Sequence, residues 1–303
     1  MSDKTLKKNR RLTMRQKYNL YGYGFMSVFF VLFFVFTIIP VFQAIYQSFT
    51  QYDMINPAKF VGLNNYKLLF MDDDVFILAI KNTMIFACIT GPACFLLSFL
   101  LAWVVNQLKG KTLFALGFYA PSVLSSVAIS VVWLYFFSGD RYGLINNVLI
   151  NIGIISSPIQ WTTDSNYILG IIILVQIFTG MGTNFLVFLA GLQNLSKEIS
   201  EAGKLDGIKN AWEDLRYIIL PQMKPQLLFG AINAVVAAFG VYDIAVAVAG
   251  FPSTNYAGHT IVGHLYDYAF IRFEMGYASA IAVILFFITF LFGRIVTRVL
   301  RTD

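Results

Sequence analysis

The chain has 303 residues, 58% of them hydrophobic and only 13% charged, with a net charge of +6. Soluble domains carry about 25% charged residues, and a core of this length cannot cover so much apolar surface, so a soluble globular fold is excluded. Basic residues gather beside apolar runs, a pattern of membrane orientation and not of a nucleic-acid-binding face, and Cys88 and Cys94 share one apolar run, which offers neither a disulfide framework nor a metal cluster.

In chain order, six stretches reach the roughly 20 apolar residues that cross the hydrocarbon layer: 25–45, 83–105, 112–138, 168–192, 227–250 and 276–293. The organisation expected is a basic segment (1–24), a leading span (25–45), an outer loop (46–78), a membrane core (79–298) containing a charged loop at 196–225, and a tail (299–303). The leading span is not read as a cleaved signal, because past Pro40 comes Val-Phe-Gln-Ala-Ile-Tyr and no small-residue cleavage pattern. Interior prolines at Pro40, Pro92 and Pro121 do not lower the count, since membrane helices tolerate them.

Of the 22 basic residues, 17 fall in the N-terminal segment, the second and fourth connections and the tail. The other connections hold Lys59, Lys67, Lys81, Arg141 and Arg272 with the acidic run Asp72-Asp73-Asp74. Basic residues stay on the cytoplasmic side, which predicts six spans with both termini and the 196–225 loop inside. That loop concentrates charge: Lys197, Glu198, Glu201, Lys204, Asp206, Lys209, Glu213, Asp214, Arg216 and Lys224. Ser196 or Ser200 is a candidate cap. Ile199, Ala202, Leu205 and Asp206 share a face, Gly207 supplies the positive φ that ends a helix, and Ala211, Leu215 and Ile218 restart a helical period. Two short helices joined at Gly207 are expected; amphipathicity alone fits an ordinary interfacial loop equally.

The order Glu201-Ala202-Gly203-Lys204-Leu205-Asp206-Gly207, then Leu220-Pro221 on the inner face, resembles the EAA signature of ABC-importer permeases, membrane subunits driven by a separate ATPase. The resemblance implies an all-α polytopic protein with the type I ABC importer permease fold. It makes the loop a knob for the ATPase, with Glu201 as polar contact, Ala202 allowing close approach, Gly203 and Leu205 in the docking helix, and Asp206-Gly207 as its turn. Gly203 departs from the usual second alanine, which should weaken the helix by up to about 1 kcal/mol, and the segment from Gly207 to Leu220 is one residue longer than typical.

Phe60-Val61-Gly62-Leu63-Asn64-Asn65-Tyr66, Asn82-Thr83, Phe239-Gly240-Val241-Tyr242-Asp243 and Gly276-Tyr277-Ala278-Ser279-Ala280 extend the resemblance to the carbohydrate branch, maltose-type and glycerol-3-phosphate-type; Ala249-Gly250-Phe251-Pro252 departs from that branch's Gly-Gly-Pro. The expected function is uptake of a sugar or oligosaccharide in a prokaryotic cytoplasmic membrane, with glycerol-3-phosphate or another polar solute as the alternative. Implied partners are a second permease, an ABC ATPase dimer that holds ATP and Mg²⁺, an extracytoplasmic solute-binding protein, the carbohydrate and membrane lipid; the chain itself needs no cofactor.

Counting from the motif, the resemblance places the solute beside Gln176, Thr179, Gly180 and Thr183 on the fourth span and Asn233, Ala237 and Gly240 on the fifth. Hydroxyls and amides suit a polyol, donating and accepting, though such groups also join membrane helices. Asp243 stands out as an ionisable residue near a span, expected to face protein or a vestibule. His259 and His264, five apart in the last outer loop, are weak candidates for a metal. Gly110-Lys111-Thr112 ends like a phosphate loop, but Val105 stands where its first glycine belongs. Clustered catalytic acids or histidines are lacking, so no enzyme is expected, and a secondary ion-coupled transporter would have only Asp243 to use.

Overall fold

A computed structural model of the chain describes residues 13–300. Lys4, Lys7, Lys8, Arg10, Arg11 and Arg301 of the charge argument lie outside the described residues. The expected all-α membrane architecture is observed. Among the described residues four helices are long and apolar enough to cross a membrane, and counting each of two bent helix pairs as one span brings the number to six.

The leading helix α1 (Met14–Phe33) passes through a wide turn, Phe34–Ile38, into α2 (Ile39–Gln47). Proline at residue 40 cannot donate to the preceding turn. The ladder relaxes there, with the amide of Ile39 reaching back five residues to the carbonyl of Phe34. The same device precedes Pro221, where the amide of Leu220 bonds the carbonyl of Leu215. From Tyr21 to Gln47 the leading span buries almost nothing against the rest of the chain.

A short antiparallel hairpin, β1 (Thr50–Gln51) with β2 (Lys59–Phe60), follows. Then come α3 (Asn64–Met71), α4 (Asp74–Gln107), α5 (Lys111–Val123), α6 (Ser126–Phe136), α7 (Leu144–Asn151) and α8 (Ile168–Gln193). The charged loop holds α9 (Lys197–Leu205) and α10 (Ala211–Asp214), a wide turn (Leu215–Ile219) and α11 (Leu220–Gln222). The chain ends through α12 (Lys224–Phe239), α13 (Asp243–Ala249), α14 (Ile261–Tyr266) and α15 (Met275–Leu300).

The sequence-based spans differ from the helices at several points: the leading helix begins at Met14 and not at residue 25, and the last runs to Leu300 and not to residue 293. The second span begins at Asp74 and not at residue 83, so α4 has 34 residues and extends about 51 Å, well beyond the hydrocarbon layer. The stretches 112–138 and 227–250 are bent pairs, broken by 94° between α5 and α6 and by 43° between α12 and α13. Apolar composition sets the length of a span but does not report a break within it.

Two apolar clusters flank the middle of the bundle. Phe86 of α4, Phe137, Ile168, Ile172 and Val175 of α8, and Val241 form one. Phe99 and Ala102 of α4, Phe185, Phe188 and Leu192 of α8, Leu215 and Met223 form the other. α4 and α8 therefore run side by side through both.

The segments that matched the carbohydrate branch outside the charged loop are structural ties. The side-chain amide of Asn65 donates to the carbonyls of Ser48 and Thr50, both at 2.9 Å, and Tyr66 donates to the Ser48 hydroxyl at 2.8 Å. Gly276 gives its amide to the Tyr52 carbonyl at 3.1 Å, and a Cβ there would strike the carbonyl of Thr50. Asn82 donates to the carbonyls of Tyr256 and His259, both at 3.0 Å, and the Thr83 hydroxyl accepts from the amide of Ile261 at 2.9 Å. Together these fasten the last loop to the start of the second span.

The two histidines are joined into one buried chain. Asp73 caps α4 by accepting from the amide of Phe76 at 2.9 Å, and its other oxygen lies 2.9 Å from Nε2 of His264 and accepts from Tyr277 at 2.8 Å. A carboxylate only accepts, so His264 donates through Nε2, and its Nδ1 lies 3.2 Å from Nε2 of His259. The groups form a line and do not converge; among the described residues no set of three His, Cys, Asp or Glu is placed to hold a metal. Burial acts to raise the Asp73 carboxyl, but the hydrogen bonds from His264, Phe76 and Tyr277 outweigh it and hold the group well below the usual carboxylate range. Burial, with His264 adjacent, pushes His259 down to about 4.

A free histidine titrates near 6.5. An unfolded His259 therefore binds a proton before the folded one, and stability falls as pH drops from about 6.5 to about 4. The Asp73 contribution is complete above the unfolded carboxylate value near 3.9 and is lost at lower pH. Thermal unfolding of the purified chain across pH 8 to 4 should show a falling midpoint, and His259→Gln should flatten the upper part of that fall. An unchanged slope in His259→Gln would remove His259 as its source.

Candidate functional site

The charged loop folds as two short helices between α8 and α12. Helix α9 ends in a left-handed turn at Gly207, whose φ is +105°. The amide of Ile208 bonds the carbonyl of Gly203 at 3.0 Å and the amide of Gly207 bonds that of Lys204 at 3.3 Å, the paired bonds of a Schellman cap. Ser196 occupies the N-cap position without a side-chain bond, while Ser200 donates to Asp214 at 2.9 Å, tying α9 to α10. Asn210 caps α10, its side chain accepting from the amide of Glu213 at 2.9 Å, while the Glu213 carboxylate accepts from the amide of Lys209 at 2.8 Å and from the Asn210 side-chain amide at 3.0 Å.

Glu201, Ala202, Leu205, Asp206 and Gly207 are all exposed, and Leu205 is 89% exposed. Gly203 alone of the six faces inward. A Cβ there would meet the end of Ile218, with Ile208 close behind. Glycine thus gives up helix propensity but lets the second half of the loop lie against the first. Trp212, its indole 5.3 Å from that of Trp103, and Leu215, buried in the second apolar cluster, anchor the loop to α4.

The residues expected along α8 and α12 are distributed unevenly. Gly180 makes room for the amide of Gln176, which lies over it beside Cys94 of α4. Thr179 is buried and turns its hydroxyl to its own helix, donating to the Val175 carbonyl at 2.9 Å. Thr183 is exposed, Asn233 is half-buried, and Ala237 and Gly240 are exposed, with Gly240 closing α12 at its break. No hydrogen bond among the described residues joins Gln176 or Thr183 to Asn233. Asp243 is exposed in the first turn of α13, beyond that break.

Sequence reasoning missed Asn184, which is buried and donates to the Gly230 carbonyl across the α8–α12 contact at 3.2 Å. Its position eight residues beyond Gln176, on the same helical face, was the available signal. Phe188 fills the space a Cβ of Gly230 would need, and Gly191 is covered by Met223 and Gln226. Ser98 of α4 donates to the Met181 carbonyl at 2.9 Å. Gln226 carries a buried side-chain oxygen with no partner among the described residues.

Membrane-length helices around a glycine-packed seam, with a two-helix charged knob between the two that form it, define a polytopic membrane transport subunit. The chain belongs to the family described as binding-protein-dependent transport system inner membrane component, which matches residues 83–302. It is 31% identical to the probable ABC transporter permease protein YesP of Bacillus subtilis, over 91% of this chain and 88% of that one. It is 33% identical to the multiple sugar-binding transport system permease protein MsmF of Streptococcus mutans, over 91% and 94%. A bacterial ABC transporter involved in the import of the acidic polysaccharide alginate shares the fold, with a TM-score of 0.79 at 20% identity, over 95% and 98% of the two chains.

Replacing Gly207 by alanine forces an L side chain into a left-handed conformation, at a cost on the order of 1–2 kcal/mol, and should unlock the amide of Ile208 to hydrogen exchange while the spans stay protected. Gly203→Ala should be nearly neutral if Ile218 swings aside. Combined with Ile218→Ala, the same change should stabilise α9 by up to about 1 kcal/mol. A double-mutant cycle without coupling between the two positions would refute their packing.

Proposed function

We propose that this chain is the permease subunit of an ATP-driven, binding-protein-dependent importer of a sugar or oligosaccharide. The observation that carries the reading is the capped, exposed knob α9 held rigidly between α8 and α12. In this reading α9 seats in an ABC ATPase, with Glu201 as its polar contact and Ala202, Leu205, Asp206 and Gly207 giving it shape. ATP and Mg²⁺ belong to that ATPase dimer, a second similar permease supplies the other knob, and an extracytoplasmic binding protein delivers the solute. Both termini and the knob lie on the cytoplasmic side of a prokaryotic cell membrane.

Movement of the knob tilts α8 against α12 about the Asn184–Gly230 and Phe188–Gly230 contacts. Groups along the two helices, Gln176, Thr179, Gly180 and Thr183 on α8 and Asn233 and Gly240 on α12, are then exposed alternately to the two sides. The carbohydrate assignment draws on relatives named for lactose, arabinooligosaccharide and multiple-sugar transport. Another relative, 28% identical, is named as an sn-glycerol-3-phosphate permease. The seam residues here are neutral, with amides and hydroxyls but no lysine or arginine, a set suited to an uncharged polyol and not to a phosphate.

Glu201→Ala should leave the chain in the membrane while lowering ATPase association or stimulation, read by co-purification and by ATP hydrolysis in proteoliposomes. Gln176→Leu or Asn233→Leu removes hydrogen-bonding capacity at similar volume; one unmade contact is worth on the order of 1–3 kcal/mol, so sugar uptake should fall about 5- to 150-fold while binding-protein-stimulated hydrolysis persists. Unaltered uptake of a panel of sugars by the double variant would place the solute elsewhere. Uptake by the chain without an ATPase, driven by an ion gradient, would replace this reading with secondary transport.

A further inference from the structure

Beside the contact of Phe239 with Phe292, whose rings lie 5.0 Å apart, an open groove of about 1540 Å³ runs between α12 and α15. Its α12 wall is Ile232 and Val236, and Gly293 forms part of the α15 wall. Nothing lies within 4 Å of the place a Gly293 Cβ would occupy. Along α15, Phe286, Phe290, Arg294 and Arg298 recur every fourth residue and so form one stripe. Phe286 and Phe290 stack at 6.1 Å, and the Arg294 guanidinium lies 5.7 Å from the centre of the Phe290 ring. Among the described residues neither arginine has a carboxylate partner.

The position of the arginines identifies the occupant. Arg294 stands nineteen residues beyond Met275, the first of α15, which is about 29 Å along the helix axis and close to the thickness of the hydrocarbon layer. The aromatic and aliphatic walls therefore lie at acyl-chain depth and the guanidinium pair at headgroup depth. A packed protein helix would strip water from two uncompensated cations and would meet bulky side chains where close helix contacts in membranes use small ones. A lipid phosphate instead supplies the acceptor geometry that guanidinium groups fit.

We propose that the α12–α15 groove is a binding site for one anionic phospholipid, its acyl chains along Ile232, Val236, Phe286 and Phe290 and its phosphate held by Arg294 and Arg298. The site uses only the membrane-spanning character of the two helices, so it stands or falls independently of the solute and of the coupling role of α9.

The test uses the full chain, with the subunits that co-purify, in nanodiscs of phosphatidylcholine containing phosphatidylglycerol, followed by native mass spectrometry of the retained lipid. Wild type should retain phosphatidylglycerol over phosphatidylcholine. Arg294→Gln with Arg298→Gln should weaken that preference about 30-fold, the factor for two cations at about 1 kcal/mol each, and Arg141→Gln in an outer loop should not. Gly293→Leu, which fills the groove without meeting the fold, should reduce retention with both charges in place. Equal retention of the two lipids by wild type, or unchanged phosphatidylglycerol retention in both groove variants, would overturn the site. So would a photocrosslinker on Gly293→Cys, in a Cys88→Ser background, that captures a protein subunit and not phospholipid.

Discussion

The close approach of α8 to its neighbours is the contact on which the rest of the bundle depends. In lipid there is no hydrophobic gain from pressing two apolar helices together, so packing and interhelical hydrogen bonds must hold them. Glycines let that happen: Gly180 under Gln176 and Cys94, Gly182 under Ser122 of α5, Gly191 under Met223 and Gln226, and Gly230 under Phe188. Asn184 and Ser98 add bonds to backbone carbonyls on α12 and beside α4. The charged knob can be exposed and still tied to the bundle because the helices that carry it meet along this seam, with Leu215 and Met223 buried at its foot.

The connections at the other end of the bundle, away from the knob, are held differently. They are too polar and irregular to pack by apolar contact alone, and single amide side chains organise them. Asn146 is fully buried and bonds the carbonyls of Ser138, Asp140 and Ile159 while accepting from Trp161 and the amide of Ile159. Asn65 and Asn82 do the same work for the hairpin and the last loop. Each leaves few buried groups unpaired, which is the condition for holding irregular backbone beside a membrane.

How much of this was legible in the sequence follows from what each signal reports. Length and apolarity located the spans, and the positive φ of Gly207 was readable because only glycine adopts it freely. The inward face of Gly203 was not readable, since it depends on Ile218, fifteen residues away in a different helix. Thr179 illustrates the same limit: the spacing put it beside Gln176 and Thr183, but its hydroxyl is turned to its own backbone. His259 and His264 looked unremarkable because their partner Asp73 lies nearly two hundred residues earlier. Short-range pattern sees a helix face; it does not see which distant chain covers it.

Helix α4 gives these separate observations a mechanical consequence. One end is fixed by Asp73 to the histidine chain and, through Asn82 and Thr83, to the last loop; near the other end the Trp103 ring lies 5.3 Å from that of Trp212 in the knob, tilted against it. One unbroken helix of 34 residues thus touches both the last loop and the knob. Its ladder has one soft rung, at Pro92, which cannot donate to the carbonyl of Cys88. A load placed on the last loop would pass to the knob along this one helix, and so through the turn at Pro92 where its backbone ladder lacks a bond.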